Sequence, residues 1–282
     1  MSNIHSNKLQ DIISYYSKKL SNHLIDNATN EIIWFLEHYK ILFREQIYTK
    51  SFDDKHLNQI ESKINHFVKE RIRGKPLQYI LNNSVFYGRN FYVNHDVLIP
   101  RPESELLIDI VKTRTFNHVL DIGTGSGNLA ITLIMENIVK QATAIDISTK
   151  ALKIAKKNAK FFNLDQINFK KIDFLSYDFP QQQFDLIVAN PPYISLDSYN
   201  QLTDSVKCHE PKIALTDDGD GMLFYYKILN VLKDVLLKDG VLIFEIGIDQ
   251  SLDILFNLFQ NQGYKVSSIN DYNNIPRIIE VC

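Results

Sequence analysis

The stretch HVLDIGTGSGNLAI, residues 118–131, joins an apolar run to a glycine-rich turn and then to a second apolar run. The run that ends at Ile122 predicts a buried strand, and residues 129–137 predict a helix. Glycines between two such elements let the backbone turn sharply and approach a ligand closely. The stretch therefore predicts a strand, a ligand-binding loop and a helix in succession.

Strand and helix patterns continue to alternate after this unit. Predicted strands cover residues 142–146, 167–172, 186–189, 241–246, 264–269 and 277–281, and predicted helices cover 150–162, 222–238 and 251–262. Such alternation favours an α/β fold with a doubly wound, mostly parallel sheet. Ligands bind such sheets at the carboxyl ends of the strands, so we expect the loops after residues 122, 145, 172 and 189 to share one mouth.

The chain before this sheet has a different character. Residues 1–76 repeat apolar side chains at helical spacing in three segments and end at Gly74-Lys75-Pro76, so they predict a small N-terminal helical domain. Residues 77–98 carry a β-hairpin pattern with turn residues inside it. The predicted domains are thus a helical domain (1–76), a hairpin linker (77–98) and an α/β domain (99–282).

Composition excludes several classes of protein. Apolar residues make up 45% and charged residues 23%, as in an ordinary globular protein, and the net charge of −2 disfavours a general nucleic-acid binder. The two cysteines, Cys208 and Cys282, are far apart, which disfavours a disulfide framework and fits a reducing cytoplasm. We expect no signal peptide, no membrane span and no metal; Cys208-His209-Glu210 lacks a second ligand pair.

The glycine loop favours one kind of cofactor. The dinucleotide fingerprint is G-x-G-x-x-G, and Asn128 stands where its third glycine would fall, which disfavours a flavin or NAD oxidoreductase. The loop instead reads D-x-G-x-G-x-G, and its Asp121 suits a cationic ligand such as S-adenosylmethionine (SAM). The alternative is a tight turn that binds nothing. The candidate cofactor-binding residues in this loop are Asp121, Gly123, Thr124, Gly125, Ser126 and Gly127.

Two later loops add candidate cofactor contacts. Asp146 ends the next strand, 19 residues after Gly127, where a carboxylate can accept both ribose hydroxyls. Its alternative role is to cap the following helix. Asp173 can accept the adenine amino group while Phe174 packs on the base, although an aspartate there can also simply end a strand.

The fourth loop is a stiff corner, Asn190-Pro191-Pro192-Tyr193, directly after an apolar strand. The prolines cannot donate to a sheet, so the strand ends and the corner has a fixed direction. The Asn190 side-chain oxygen and the Pro191 carbonyl offer two acceptors, and Tyr193 offers a flat face. The corner therefore predicts a slot for a planar amide or amino nitrogen beside the cofactor, which Asn190 would also contact; a purely structural turn is the alternative.

These four loops together resemble the class I SAM-dependent methyltransferases, and Asn-Pro-Pro-Tyr resembles their amino-group branch. Other stretches are similar to the release factor glutamine methyltransferases (the HemK/PrmC family), from about residue 70 to the end. This chain departs from the usual pattern of that family at three places. It has Ser104 where the family usually has Thr, Asn82 where the family usually has Gly nearby, and no Gly between Asp271 and Arg277. The matching stretches are RGKPLQYI (73–80), FYG (86–88), VLIPRPESE (97–105), EPK (210–212) with Ala214 and Leu215, DG (220–221), EIG (245–247) with Gln250, and Asp271 with Arg277.

The resemblance implies a cytoplasmic, SAM-dependent protein-(glutamine-N5) methyltransferase of translation termination. Its substrate would be the glutamine of the Gly-Gly-Gln loop in class-1 peptide chain release factors, recognised with help from the helical domain. Asn190, Pro191, Pro192 and Tyr193 would be catalytic and substrate-binding residues.

Other expectations accompany this interpretation. Arg101 and Glu103 would line the mouth and bind substrate, or else form a salt bridge between the domains. We expect a monomer without direct nucleic-acid contact. Two alternatives stay open: an adenine-N6 nucleic-acid methyltransferase that uses the same slot, and a SAM-binding protein that acts by binding a partner.

Overall fold

The computed structural model describes residues 4–179, 181, 184–248 and 250–282, with side chains from residue 8 onward. The chain divides into two compact units, Met1–Asn82 and Asn83–Cys282. The division falls six residues after the predicted end of the helical domain at Pro76. In the part of the chain that the structure describes, no helix is long and apolar enough to cross a membrane.

The first unit is helical and has its own apolar core. Apolar residues recur every three or four positions, so each long helix buries one face, as Ile60, Ile64 and Phe67 show. A partly buried ion pair joins two helices, because the Arg71 Nε donates to Glu31 Oε2 at 2.7 Å. The helices in the described part of this unit are α1 (Ile4–Ser21), α2 (Ala28–His38), α3 (Arg44–Thr49), α4 (Asp54–Ile72) and α5 (Leu77–Leu81).

Two local predictions differ from the structure at this end. Three helical segments were expected, whereas two short helices, α3 and α5, are also present. Residues 77–81 form α5 instead of the start of a hairpin, since a short apolar segment fits either period. The hairpin itself is shorter, with β1 (Ser84–Phe86) and β2 (Arg89–Phe91) joined by Tyr87 and Gly88 in left-handed conformation.

The second unit contains a seven-stranded sheet in the order β5-β4-β3-β6-β7-β9-β8. The first five strands in that order are parallel, and β9 runs antiparallel to both of its neighbours. The predicted doubly wound, mostly parallel sheet is therefore confirmed. The strands are β3 (Phe116–Ile122), β4 (Val139–Asp146), β5 (Ile167–Lys171), β6 (Phe184–Ala189), β7 (Leu236–Glu245), β8 (Val266–Asn270) and β9 (Pro276–Val281). The helices are α6 (Leu106–Val111), α7 (Asn128–Met135), α8 (Thr149–Phe161), α9 (Leu196–Gln201), α10 (Asp204–Lys207), α11 (Leu223–Val235) and α12 (Leu252–Gln260).

The register of the sheet brings the loops together. Ile122 lies beside Ile145 of β4 on one side and beside Ala189 of β6 on the other, so these three strands end at the same edge. Apolar clusters pack on both faces of the sheet. One prediction was wrong here: the helix expected over 222–238 ends at Val235, and Leu236 already pairs with Phe184 as the start of β7.

Candidate active site

A cavity of about 440 Å³ opens at the carboxyl ends of the parallel strands. All four predicted loops contribute to its wall, and residues 96–98 and 211–218 complete it. Of the candidate site residues, those that line the cavity are Gly123, Gly125, Asp146, Asp173, Phe174, Asn190 and Pro192.

The glycine loop keeps its shape through backbone conformations that other residues rarely adopt. Gly123, Gly125 and Gly127 all have positive φ, at +71°, +53° and +81°. A Cβ on Gly127 would lie 3.0 Å from Ile131 Cδ1 and 3.2 Å from the Ala155 Cβ, so this glycine also lets α7 and α8 pack closely. The loop therefore presents backbone, and no bulky side chain, to the cavity.

Asp121 lies beneath this loop and does not line the cavity. Its Oδ2 accepts hydrogen bonds from Thr124 Oγ1 at 2.6 Å and from the Ala130 amide at 3.3 Å, so it holds the loop from below. Burial raises the pKa of Asp121 to about 7. Its Oδ1 is buried and has no hydrogen-bond partner within the described residues. A buried, unpartnered carboxylate oxygen fits a cationic group bound above the loop, which is what SAM would provide.

Ser126 also shapes the loop from outside the cavity. Its hydroxyl donates to Asn128 Oδ1 at 2.9 Å, and its carbonyl accepts from Asn158 Nδ2 at 2.8 Å. Thr124, Ser126 and Gly127 thus support the cavity wall without forming it.

Asp146 connects two loops at the cavity wall. Its Oδ2 accepts from the Gly125 amide at 2.9 Å and its Oδ1 from the Ser148 amide at 2.8 Å. The side chain that caps α8 is Ser148, which accepts from the Ala151 amide at 3.1 Å. Each Asp146 oxygen accepts one of these bonds and so keeps a lone pair for a ligand hydroxyl. Burial raises the pKa of this carboxyl.

The third loop supplies a carboxylate and an aromatic wall. Asp173 accepts from the Leu175 amide and the Ser176 hydroxyl, so it also closes its own turn. Phe174 is buried and lies nearly parallel to Phe224, with ring centroids 6.1 Å apart. Phe224 lines the cavity too and was not predicted. It lies in the first turn of α11, and the helix predicted over 222–238 did not indicate that this residue faces the cavity.

A chain of hydrogen bonds holds the Asn190 corner. Asn190 Nδ2 donates to Ser104 Oγ at 2.9 Å, and Ser104 Oγ donates to Glu245 Oε2 at 2.5 Å. The Tyr193 hydroxyl donates to the other oxygen, Glu245 Oε1, at 3.0 Å. Glu245 is 2% exposed, and burial raises the pKa of its carboxyl. Sequence reasoning used Ser104 and Glu245 only as family markers and missed this network.

Close backbone packing fixes the same corner from another side. Gln250 Nε2 donates to the Tyr193 carbonyl at 2.6 Å. A Cβ on Gly221 would lie 2.9 Å from the Tyr193 carbonyl carbon, and one on Gly247 would lie 2.8 Å from the Tyr193 ring. Burial raises the pKa of Tyr193 well above its usual range, so its hydroxyl stays protonated and donates. Pro191 is buried and, like Tyr193, does not line the cavity.

Arg101 and Glu103 are also outside the cavity lining. Arg101 Nη2 lies 2.6 Å from Glu210 Oε1, whose side chain is 2% exposed, and both residues belong to the α/β unit. The ion pair of Arg101 is therefore not a bridge between the two units. Among the described residues, no group of three or more His, Cys, Asp or Glu side chains is arranged to hold a metal ion.

Two family models match the chain. One is described as the methyltransferase small domain and covers residues 102–236, and the other as the PrmC N-terminal domain and covers residues 11–81. The release factor glutamine methyltransferase of Bacillus anthracis is 40% identical over 202 residues, which cover 69% of this chain and 71% of that protein. The protein of the same name from Chlorobaculum tepidum is 33% identical over 282 residues, covering 95% and 94%.

A solved structure supports the fold. The crystal structure of a methyltransferase from Pyrococcus furiosus is 18% identical and has a TM-score of 0.53, covering 70% of this chain and 90% of its own. The sheet order, the glycine loop after β3 and the corner after β6 define a class I SAM-dependent methyltransferase fold. Within that class, the chain belongs to the release factor glutamine methyltransferase family.

Proposed function

We propose that this protein methylates the side-chain amide nitrogen (N5) of the glutamine in the Gly-Gly-Gln loop of class-1 peptide chain release factors, with SAM as the donor. The observation that carries the proposal is the orientation of Asn190 at the cavity wall. Its Nδ2 is committed to Ser104, so its Oδ1 is the atom left to accept a hydrogen bond from a substrate. The names of the relatives support release factors as the substrate.

The cavity walls supply suitable contacts for SAM. Asp146 would accept the ribose hydroxyls, and Asp173 the adenine amino group. Phe174 and Phe224 would pack beside the base, and the Asp121 carboxylate would stabilise the cationic end. When bound, SAM supplies a methyl group that its sulfonium already activates.

The corner would act by positioning. An amide nitrogen is a poor nucleophile because its lone pair is delocalised, so the protein must hold it in line with the methyl group. Asn190 Oδ1 and the Pro191 carbonyl would accept its two hydrogens and aim it. Neither oxygen is a base that can remove a proton, so both act by orientation. Tyr193 and Pro192 would keep the slot rigid and exclude water.

The helical unit would recognise the release factor. Its match to the PrmC N-terminal domain supports this role. It also carries exposed aromatic side chains, including Trp34, Phe43 and Tyr48, which is the composition of protein interfaces. We further propose a monomer that acts in the cytoplasm without contacting nucleic acid, with Arg101 and Glu103 near the protein substrate.

The test uses radiolabelled SAM, the purified protein and a class-1 release factor. The control is the same factor with its Gly-Gly-Gln glutamine changed to alanine, together with single- and double-stranded DNA. Label on the unaltered factor alone supports the proposal. Equal label on both factors overturns the acceptor, and label on DNA favours the nucleic-acid alternative.

Substitutions in the chain test the role of the corner. Asn190→Ala should abolish most turnover and leave SAM affinity within a few-fold, because it removes one of two acceptors. Asn257→Ala is the matched control, since Asn257 is an exposed residue on α12. Full turnover by Asn190→Ala with normal SAM affinity would show that this scheme is wrong.

A further inference from the structure

The network behind Asn190 has a defined direction. An ionised carboxylate only accepts hydrogen bonds, and Glu245 accepts one on each oxygen, from Ser104 and from Tyr193. Ser104 has a single hydroxyl hydrogen, and the hydrogen bond to Glu245 uses it. Ser104 can therefore offer only lone pairs to Asn190, and Asn190 must turn its Nδ2 toward it.

This direction matters because an amide has two orientations of nearly the same shape. Hydrogen bonding, not packing, decides which of them is adopted. Within the described residues, the bond to Ser104 is the hydrogen bond that the Asn190 side chain makes. If the amide flipped, its NH2 group would face the NH2 group of the substrate, and two donors would meet where a donor and an acceptor are needed.

We propose that Glu245 is a positioning residue that sets, through Ser104, which end of the Asn190 amide faces the substrate. The inference rests on the proposed function, because it explains the orientation of the Asn190 side chain by the need to bind an amide substrate. Glu245 also accepts from Tyr193, so one buried carboxylate anchors both ends of the corner. Sequence separation hides this link, since Ser104 and Glu245 are 141 residues apart.

Hydrogen bonds hold both the side chain and the backbone of Glu245. Tyr193 donates to the carboxylate, and Tyr225 donates to the backbone carbonyl of Glu245 at 3.0 Å. Burial raises the pKa of the Glu245 carboxyl, and the negative charge of Glu103 acts in the same direction. The hydrogen bonds from Ser104 and Tyr193 and the positive charge of Arg277 favour the ionised carboxylate. We call the hydrogen bonds that run from Asn190 through Ser104 to Glu245 the relay. A protonated Glu245 could donate to Ser104 and so reverse the direction of the relay.

Glu245→Gln tests the relay with almost no change in volume. The new amide can donate to Ser104, whose hydrogen then turns to Asn190 and flips its amide. We expect kcat/KM for the release factor to fall by about 100-fold, as for the loss of one oriented hydrogen bond at a reacting group. SAM affinity and thermal stability should stay close to those of wild type. Glu280→Gln is the control, a matched change on β9 where the carboxylate pairs with Arg114.

A second substitution separates orientation from mere structural support. Asn190→Asp presents an acceptor oxygen in either orientation. With Glu245 present it should be poorly active, because two carboxylates compete for the one Ser104 hydrogen. In the double variant with Glu245→Gln, that hydrogen goes to the aspartate and its other oxygen accepts the substrate. The double variant should therefore be at least tenfold more active than Asn190→Asp alone.

The outcomes are distinguishable. An inactive wild type in the same assay refutes the proposed function and not the relay. With an active wild type, Glu245→Gln turnover within threefold of wild type overturns the relay, as does a double variant no better than Asn190→Asp. If Glu245→Gln does not fold, Ser104 decides the matter. Ser104→Thr keeps the hydroxyl and should lose at least tenfold less activity than Ser104→Ala, and equal losses overturn the proposal.

Discussion

Gly221→Ala should disable the Asn190 corner without emptying the cofactor cavity. Gly221 has a φ of +81°, and an added Cβ would lie 2.9 Å from the Tyr193 carbonyl carbon and 3.0 Å from Gln250 Nε2. Real Cβ atoms essentially never approach other atoms to less than 3.0 Å, and the Tyr193 oxygen would be closer still. The neighbour is backbone, so the corner itself has to move.

The expected effect of Gly221→Ala has two parts. A left-handed conformation costs a non-glycine residue about 1–2 kcal/mol. The overlap then displaces the corner by roughly 1 Å, and a misplacement of that size costs on the order of 10²-fold in rate. We therefore expect kcat for methyl transfer to fall by about 100-fold, while SAM affinity, to which the other three loops also contribute, falls only a few-fold.

The matched control is Gly263→Ala. Gly263 has a φ of +88°, and its Cβ would meet nothing within 4 Å. Gly263→Ala should carry the same cost of a left-handed backbone conformation and lower the melting temperature by about 2–8 °C. Its kcat should be unchanged. Initial rates, calorimetry of SAM binding and thermal melts measure the three quantities. Equal kcat in the two variants would refute the argument that Gly221 is required by its contact with the corner.

Three further predictions address the cofactor loop and the helical unit. Burial raises the pKa of Asp121 to about 7 and a cationic cofactor lowers it, so SAM binding at pH 7 should release protons. Calorimetry in buffers of different ionisation enthalpy measures this release, and Asp121→Asn should remove it; an unchanged release would contradict the assignment. Gly127→Ala should lower the free energy of unfolding by about 2 kcal/mol, since its Cβ would lie 3.0 Å from Ile131 Cδ1 at a φ of +81°. Thermal melts test it, and an unchanged melting temperature would contradict it. Glu31→Gln leaves Arg71 partly buried without its charge partner and should cost about 3 kcal/mol. Hydrogen exchange of the α4 amides measures that loss, and unchanged protection would show that the pair contributes little.

The order of strands and helices could be predicted because each element depends mainly on its own residues and on those directly beside it in the sequence. A run such as residues 186–189 favours a buried strand because it is short and ends at two prolines, and the glycine loop is typical of a turn with a strand before it and a helix after it. The failures at residues 77–81 and 236–238 have one cause. Short segments with only a few apolar residues fit a helix and a strand equally well, and the tertiary partner decides. For Leu236 that partner is Phe184 on the neighbouring strand.

The candidate site shows the same division between local and distant information. Gly123, Asp146 and Asp173 lie on loops whose position follows from the sheet, so their place at the cavity could be predicted. The partner of Arg101 could not, because Glu210 is 109 residues away and no pattern links the two. Because Arg101 lies in a family motif, we predicted that it binds substrate. In the structure it pairs instead with the buried carboxylate of Glu210.

The site is held in two independent ways, and this explains why its variants should separate binding from turnover. The cofactor wall is held by local bonds, such as those of Asp146 to Gly125 and Ser148. The substrate corner is held from outside that wall, by Glu245 at the end of β7 and by the close approach of Gly221. A change in the second group should therefore leave a protein that binds SAM normally but cannot aim the acceptor. If such variants lost SAM affinity in proportion to turnover, the two halves would form one cooperative unit, and the assignment of separate roles would fail.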